Sequence, residues 1–244
     1  MKKTDKLKFP WPSWTENFVA NRRFCRSIYK TVMENVITDR SMYVCFSGGL
    51  DSTVLSHVLY NSFLINTGSV PNLHLIYVNH HFRSEQDIQT DIEHTKSTAC
   101  FLNCKYSVLD VYPEHNQNSA RQYRYDALSE FIKDGVGYLG HHANDIVETR
   151  LFQILTGRQV VGIGKEYIHN DVSFIRPMLF LTREDIEKYA KLWNLKWSED
   201  ISNSTNEYAR NRIRHDLIPW IKENINPGII KTLSGDCMEK KRDH

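Results

Sequence analysis

Two serines, two glycines and an acid in the run Ser47-Gly48-Gly49-Leu50-Asp51-Ser52 have the composition of an anion cradle. Glycine lacks the Cβ that holds a bound group away from the backbone, so Gly48 and Gly49 let main-chain N–H groups approach it closely. Ser47 and Ser52 add hydroxyl donors. Asp51 is the odd member, because a carboxylate beside a polyphosphate repels it unless a cation stands between them, which points to Mg2+. A Gly-Gly turn is also an ordinary backbone connection. Both serines, both glycines and the acid in fixed order are nevertheless improbable by chance when glycine averages about 7% of residues. The run lacks Gly-Lys-Ser/Thr, which excludes a Walker-type loop.

Other residues carry chemistry of a compatible kind. Asp145 and Glu148 are three apart and share a helix face. For Asn144 and Glu148 a helix-capping role accounts for the residue type equally well, whereas Asp145 is the better candidate for holding Mg2+ with Asp51 or for deprotonating an attacking group. The pairs His80-His81 and His141-His142 suggest zinc, but neighbours on an extended segment point to opposite sides and offer one inward ligand each. His80 and His142 are instead candidates for contacts to a nucleotide base or phosphate. Arg121 and Arg124 share a face of one helix, and Arg210, Arg212 and Arg214 follow in a second cluster; Arg210 and Arg214 at i and i+4 form an expected phosphate-binding fork. A solvated helix face is the alternative for these arginines.

The elements that must position these groups alternate. Tyr43 to Phe46 reads as a buried strand and Ser52 to Asn61 as the helix behind the loop, which places the loop at a helix N-terminus. Strand Leu73 to Val78 leads to a helix capped by Ser84 and Asp87. Strand Lys105 to Leu109 precedes helix Ser119 to Ile132, and strand Gly137 to Leu139 precedes helix Asn144 to Leu155. Four such units predict an α/β fold with a doubly wound parallel sheet. Ligands of such sheets lie beyond the carboxyl ends of the strands, where the Ser47, Asn79-His80 and His141-Asp145 loops converge. A Pro/Trp-rich arm and a helix after Thr15 precede the sheet. A hairpin turning at His169-Asn170-Asp171, a helix from Thr182 and an Arg-rich helix ending near Pro219 follow it. The expected division is residues 1–41 as arm and helix, 42–219 as the catalytic domain and 220–244 as a short tail.

With 244 residues and 41% hydrophobic content the chain suits one globular α/β domain with a small appendage. No apolar run approaches the roughly 20 residues that span a bilayer, and the charged N-terminus has no apolar stretch behind it, so a cytoplasmic location without membrane partners is expected. Five cysteines, an odd number, read as reduced thiols. Cys100 and Cys104 lack CxxC spacing and are expected to pack in the core. A net charge of +2 is too small to indicate nucleic-acid binding by itself.

The Ser47–Ser52 run resembles the SGGxDS signature of the PP-loop, or N-type, ATP pyrophosphatases. Further motifs resemble the tRNA(Ile)-lysidine synthetase branch: Tyr77-Val78-Asn79-His80 is similar to HVNH, Ala120-Arg121-Gln122-Tyr123-Arg124-Tyr125 to ARxxRY, and the segment from Gly140 to Thr149 to xHHxDDQxET. Arg176-Pro177-Met178-Leu179, Trp197 to Asn203 and Tyr208 to Arg214 extend the resemblance to Pro219. It implies a Rossmann-like PP-loop fold with a small C-terminal helical extension and a ligase that forms a carbon–nitrogen bond, with ATP and Mg2+. The wobble cytidine of an isoleucine tRNA with a CAU anticodon is adenylated at C2, then attacked by L-lysine. It assigns Ser47, Gly48, Gly49, Leu50, Asp51, Ser52, Asn79, His80 and His142 to ATP. Asp51 and Asp145 go to metal or base roles. Arg121 and Arg214 become catalytic groups, and Arg124, Arg210 and Arg212 RNA contacts. A homodimer is compatible with it. Asn144, Ile146 and Gln117 stand where the pattern has Asp, Gln and Glu, and the C-terminal domains of larger members are not expected here. Another PP-loop enzyme of tRNA modification or amide formation, or a degenerate ATP- or tRNA-binding module, is the alternative.

Overall fold

The computed structural model describes residues 18–113, 117–198 and 209–239. The Pro/Trp-rich arm, the Thr15 cap, the motif residues 199–208, the side chain of Gln117 and the closing Lys240-Lys241-Arg242 lie outside the described residues.

Six strands form one sheet in the order β3-β2-β1-β4-β6-β5. They are β1 (Met42–Phe46), β2 (Leu73–Asn79), β3 (Lys105–Asp110), β4 (Val136–Tyr138), β5 (Glu166–His169) and β6 (Val172–Ile175). The first four and β6 are parallel, and β5 is an antiparallel edge strand paired with β6. The hairpin thus extends the expected parallel sheet and makes it mixed. Asn170 and Asp171 both have positive φ, 46° and 63°, the geometry a two-residue hairpin turn demands. Chain order reverses between β1 and β4, so the crevice at that switch point opens beside the Ser47 loop.

One face of the sheet packs under α1 (Phe18–Met33), α2 (Leu50–Thr67) and α6 (Arg183–Leu192), burying Val44, Val54, Leu75, Tyr138 and Ile186. The other face carries Ile76 and Phe174 against Tyr125, Leu128 and Ile132 of α4 (Gln117–Ile132). Helix α3 (Glu85–Phe101) follows β2 and starts with Ser84 Oγ accepting from the Asp87 N–H. Helix α2 runs past Asn61 to the left-handed Gly68, φ +72°. Asn61 does not stop it because its amide is buried and bonded to Tyr29, His57 and Tyr189.

Helix α5 (Ala143–Leu155) supports the C-terminal elements α7 (Ala209–Arg212), a π-helical turn over Ile213–Leu217, α8 (Ile218–Asn224) and α9 (Ile229–Glu239). Ala143 and Val147 meet Ile213, Ile218, Ile229 and Ile230 in a separate core. The helix does not end near Pro219. Pro219 sits in the first turn of α8, which runs on to Asn224, and after a turn over residues 225–228 the separate helix α9 carries the chain to Glu239. Cys104 packs on the core, but Cys100 is exposed on α3 rather than buried.

Candidate active site at the sheet switch point

The loop after β1 is shaped for close approach. Gly48 has φ +81°, a left-handed conformation glycine adopts without strain, and its carbonyl accepts from the Ser198 N–H at 2.9 Å. The Ser52 hydroxyl donates to the Gly49 carbonyl at 3.0 Å and accepts from the Ser47 N–H at 3.2 Å, which folds the loop back on its own helix. No side chain caps α2 at Gly49. The N–H groups of its first turn therefore face the loop, with the positive end of the helix dipole behind them.

The loop after β4 packs directly onto this turn. A Cβ on Gly140 would stand 3.1 Å from the Asp51 carbonyl carbon and 3.2 Å from its oxygen, tighter than an ordinary contact with backbone, so a larger residue would push the two loops apart by a few tenths of an ångström. That contact brings Asp145, in the first turn of α5, to the same place as Asp51. The Nε2 of buried His142 lies 3.7 Å from Asp51 Oδ1 and 3.6 Å from Asp145 Oδ2. Asp145 Oδ2 also accepts the His142 N–H at 2.8 Å, so one carboxylate both starts the helix and faces the site.

Two arginines neutralise these acids. Arg183 Nη1 donates to both oxygens of Asp51 at 3.0 and 3.2 Å. Arg214 clamps Glu148 through Nε at 2.7 Å and Nη2 at 2.8 Å, and Nη2 reaches Asp145 Oδ1 at 3.5 Å. The carboxyls respond differently. Desolvation raises Asp51 above the usual range against the pull of His142 and Arg183. Burial likewise raises Glu148 although Arg214 opposes it. At Asp145 desolvation is outweighed by His142, His141, the His142 N–H and Arg214, so its carboxyl is held below the usual range. The same Glu148 pairing raises Arg214.

His141 is half-buried, accepts from Arg176 Nε at 3.3 Å, and is pushed down to about 4 by burial. Asn79 is buried at the end of β2, where its amide donates to Asp110 Oδ1 and its carbonyl accepts the His81 N–H. His80 is half-buried and pushed down to about 4 by desolvation and Arg124, while exposed His81 stacks on Tyr112. Arg121 lies over the Tyr125 ring.

The expected fork of Arg210 and Arg214 does not form. The π-helical turn breaks the i, i+4 register, sending Arg214 to Glu148 and leaving Arg210 over the Phe152 ring, about two turns along α5 from Asp145. Arg212 lines a groove of 490 Å³ with Phe152, Leu155 and Trp220. Arg183 and Arg176 are the site residues sequence reasoning missed. The signal at Arg183 was dominated by the Thr182–Asp185 capping box, which the structure does contain.

For a divalent cation the donor set is limited but chemically apt. No group of three or more His, Cys, Asp or Glu suited to a metal occurs among the described residues. Mg2+ in phosphate sites commonly takes only one or two carboxylates, with phosphate and water completing its shell. Asp51 and Asp145, facing one imidazole, match that pattern.

The sequence matches the PP-loop domain family over residues 20–221. The tRNA(Ile)-lysidine synthase of Pseudomonas syringae pv. tomato is 34% identical over 191 residues, covering 75% of this chain and 42% of that protein. That of Wolbachia pipientis wMel is 36% identical over 203 residues, covering 76% and 46%. The chain therefore spans less than half the length of these curated relatives. The U34-tRNA thiolase NcsA from Methanococcus maripaludis superposes with a TM-score of 0.70 over 89% of this chain and 79% of that chain, at 17% identity, which shows a common fold.

Proposed function

Because the chain belongs to the PP-loop domain family, we propose that it binds ATP at the Ser47–Ser52 loop and acts as a ligase of the tRNA(Ile)-lysidine synthase type. The observation that carries the ATP chemistry is the convergence of Asp51 and Asp145 on one His142 imidazole beside the uncapped start of α2. The relatives' name, tRNA(Ile)-lysidine synthase, supports a tRNA substrate, and within this reading the reacting group is the wobble cytidine of a CAU-anticodon isoleucine tRNA, with L-lysine as co-substrate. A second copy of the chain as partner belongs to the same reading.

The chemistry divides into two displacements. The cytidine O2 attacks the α-phosphate, forming an O–P bond as the bond to pyrophosphate breaks. The lysine ε-amine then attacks C2, AMP leaves, and the amine proton passes to a base. The loop N–H groups hold and orient the phosphates. When bound, Mg2+ would supply charge neutralisation between the carboxylates and the triphosphate, with Asp51 and Asp145 as its protein ligands.

The test incubates the protein with Mg·ATP and a CAU-anticodon tRNA, with and without lysine, followed by nucleoside mass analysis. Lysidine formation and lysine-dependent AMP release are expected. AMP and pyrophosphate without lysidine would overturn the substrate while leaving the PP-loop chemistry; release of neither would overturn the enzymatic reading.

A further inference from the structure

The arginines around the site fall into two groups. Arg83, Arg183 and Arg214 are each committed to a carboxylate, on Asp91, Asp51 and Glu148. Arg121, Arg124 and Arg176 pair with no carboxylate among the described residues. Arg176 is the most costly of the three, being 6% exposed. Its Nε donates to His141 Nδ1 and its Nη1 to the Gly164 carbonyl at 2.8 Å, both neutral acceptors. A buried guanidinium with only neutral partners carries an unrepaid desolvation cost that an anion would relieve.

Tyr125, 5.1 Å from Arg121 Cζ, neighbours both Arg121 and Arg176, and a second ring, Tyr167, joins the two arginines. The Cζ of Arg121 lies 5.8 Å from the Tyr167 centroid and that of Arg176 lies 5.9 Å from it, both within cation–π range. The two guanidinium groups repel each other electrostatically, so something must hold them together. The ring is itself anchored. Its hydroxyl bonds His169 Nδ1 at 3.2 Å, and His169 Nε2 bonds Asp126 Oδ1 at 2.7 Å on α4, the helix that carries Arg121. Edge-to-face packing on Tyr125 at 4.9 Å fixes the remaining side.

The arrangement of charge selects the ligand. Arg124 stands one turn from Arg121 and acts on His80 beyond β2, while Arg121 acts on His141 beyond β4. Three unpaired cations thus string along the carboxyl edge of the sheet. One small carboxylate cannot neutralise cations so distributed; an extended polyanion such as a nucleic-acid backbone can. We propose that Tyr167 is a positioning residue whose ring holds Arg121 and Arg176 as one oxyanion pair for a phosphodiester of RNA beside the reacting nucleoside. This rests on the RNA substrate assigned above.

The test measures the affinity of a CAU anticodon stem-loop over a salt series, with ATP affinity in parallel, for wild type, Tyr167→Phe and Tyr167→Leu. Tyr167→Leu is expected to weaken RNA binding about tenfold and to reduce the salt slope by about one. Tyr167→Phe retains the ring and stays within about threefold of wild type. ATP affinity is unchanged in both, and adding Tyr167→Leu to Arg121→Gln produces little further loss. A Tyr167→Leu protein with wild-type affinity and slope overturns the proposal, as do equal losses in the Phe and Leu variants or parallel loss of ATP affinity. Wild-type protein that binds ATP but no RNA overturns this proposal and the RNA substrate together, while leaving the PP-loop assignment.

Discussion

Replacing Glu148 by alanine or by glutamine separates the charge of this buried acid from its hydrogen bonds. Glu148 accepts two bonds from Arg214, at 2.7 and 2.8 Å. Removing one partner of a buried pair costs roughly 3–5 kcal/mol. Because the Arg214 side chain is 37% exposed, water re-solvates the stranded guanidinium, and the expected loss for Glu148→Ala falls to about 2 kcal/mol. For a chain of this size that is roughly 4–8 °C in unfolding midpoint. Glutamine should behave differently. Burial holds the Glu148 carboxyl above its usual range even beside Arg214, and a neutral amide sheds that desolvation while keeping one of the two bonds, since its NH2 cannot accept from the second Arg214 N–H. The expected loss for Glu148→Gln is within about 1 kcal/mol. The sign with pH follows. A raised folded-state pKa gives stability that is complete below the unfolded value of 4.5 and lost as pH rises through the folded value. The balance between the two proteins therefore shifts toward Glu148→Gln as pH rises through that window. Urea unfolding at about pH 4 and about pH 7 measures this directly. Pyrophosphate release should fall more in the alanine variant, where Arg214 is free to swing onto Asp145. Equal stability losses for Ala and Gln would refute the desolvation argument, and a Glu148→Ala protein as stable as wild type would refute the clamp itself.

Asp51→Ala and Asp145→Ala are each expected to reduce pyrophosphate release to background; an unchanged rate in either would remove that residue from the phosphate site. Asp145→Ala should also cost about 1 kcal/mol, because the His142 N–H loses its acceptor at the start of α5. Gly140→Ala forces a Cβ to 3.1 Å from the Asp51 carbonyl carbon, and is expected to lower both turnover and stability, the latter by about 1–2 kcal/mol. Wild-type turnover by that variant would show that the two loops need not touch. His57 and His141 are pushed down to about 3 and about 4 by burial. Their neutral forms contribute stability that is complete above about pH 6.5 and declines as pH falls toward those values, so urea midpoints should drop between neutral pH and about pH 4. A flat profile across that range would refute their burial as neutral groups.

Strands, helices and the Ser47 loop were legible because each rests on a local pattern: buried runs bounded by turn residues, and glycines where the backbone must bend. The site was legible only where its residues follow a strand. Arg183 reaches Asp51 across 132 positions of sequence, and its immediate neighbours form a capping box that explains an acid-flanked helix start without reference to any site. Arg176 follows a strand but reads locally as an exposed cation, since a buried arginine lacking an acid is an unlikely default. The Arg210–Arg214 fork failed for a different reason. Helical spacing assumes a regular turn, and the π-helical segment that breaks it leaves no compositional mark in Ile213–Leu217.

The departures at Asn144 and Ile146 acquire separate meanings from their places in the fold. Ile146 is wholly buried, facing the core rather than the phosphates, so a polar residue there would have to be accommodated by repacking and not by a ligand. Asn144 does touch the site: its side-chain oxygen accepts the Arg183 N–H at 3.0 Å and ties the start of α6 to the start of α5. A carboxylate would make the same bond through the same kind of oxygen. What asparagine removes is one negative charge from a crevice that already gathers Asp51, Asp145 and Glu148 around two committed arginines. The geometry that delivers Arg183 to Asp51 is therefore independent of that charge, and any effect of restoring it by Asn144→Asp should appear in cation and phosphate binding rather than in folding.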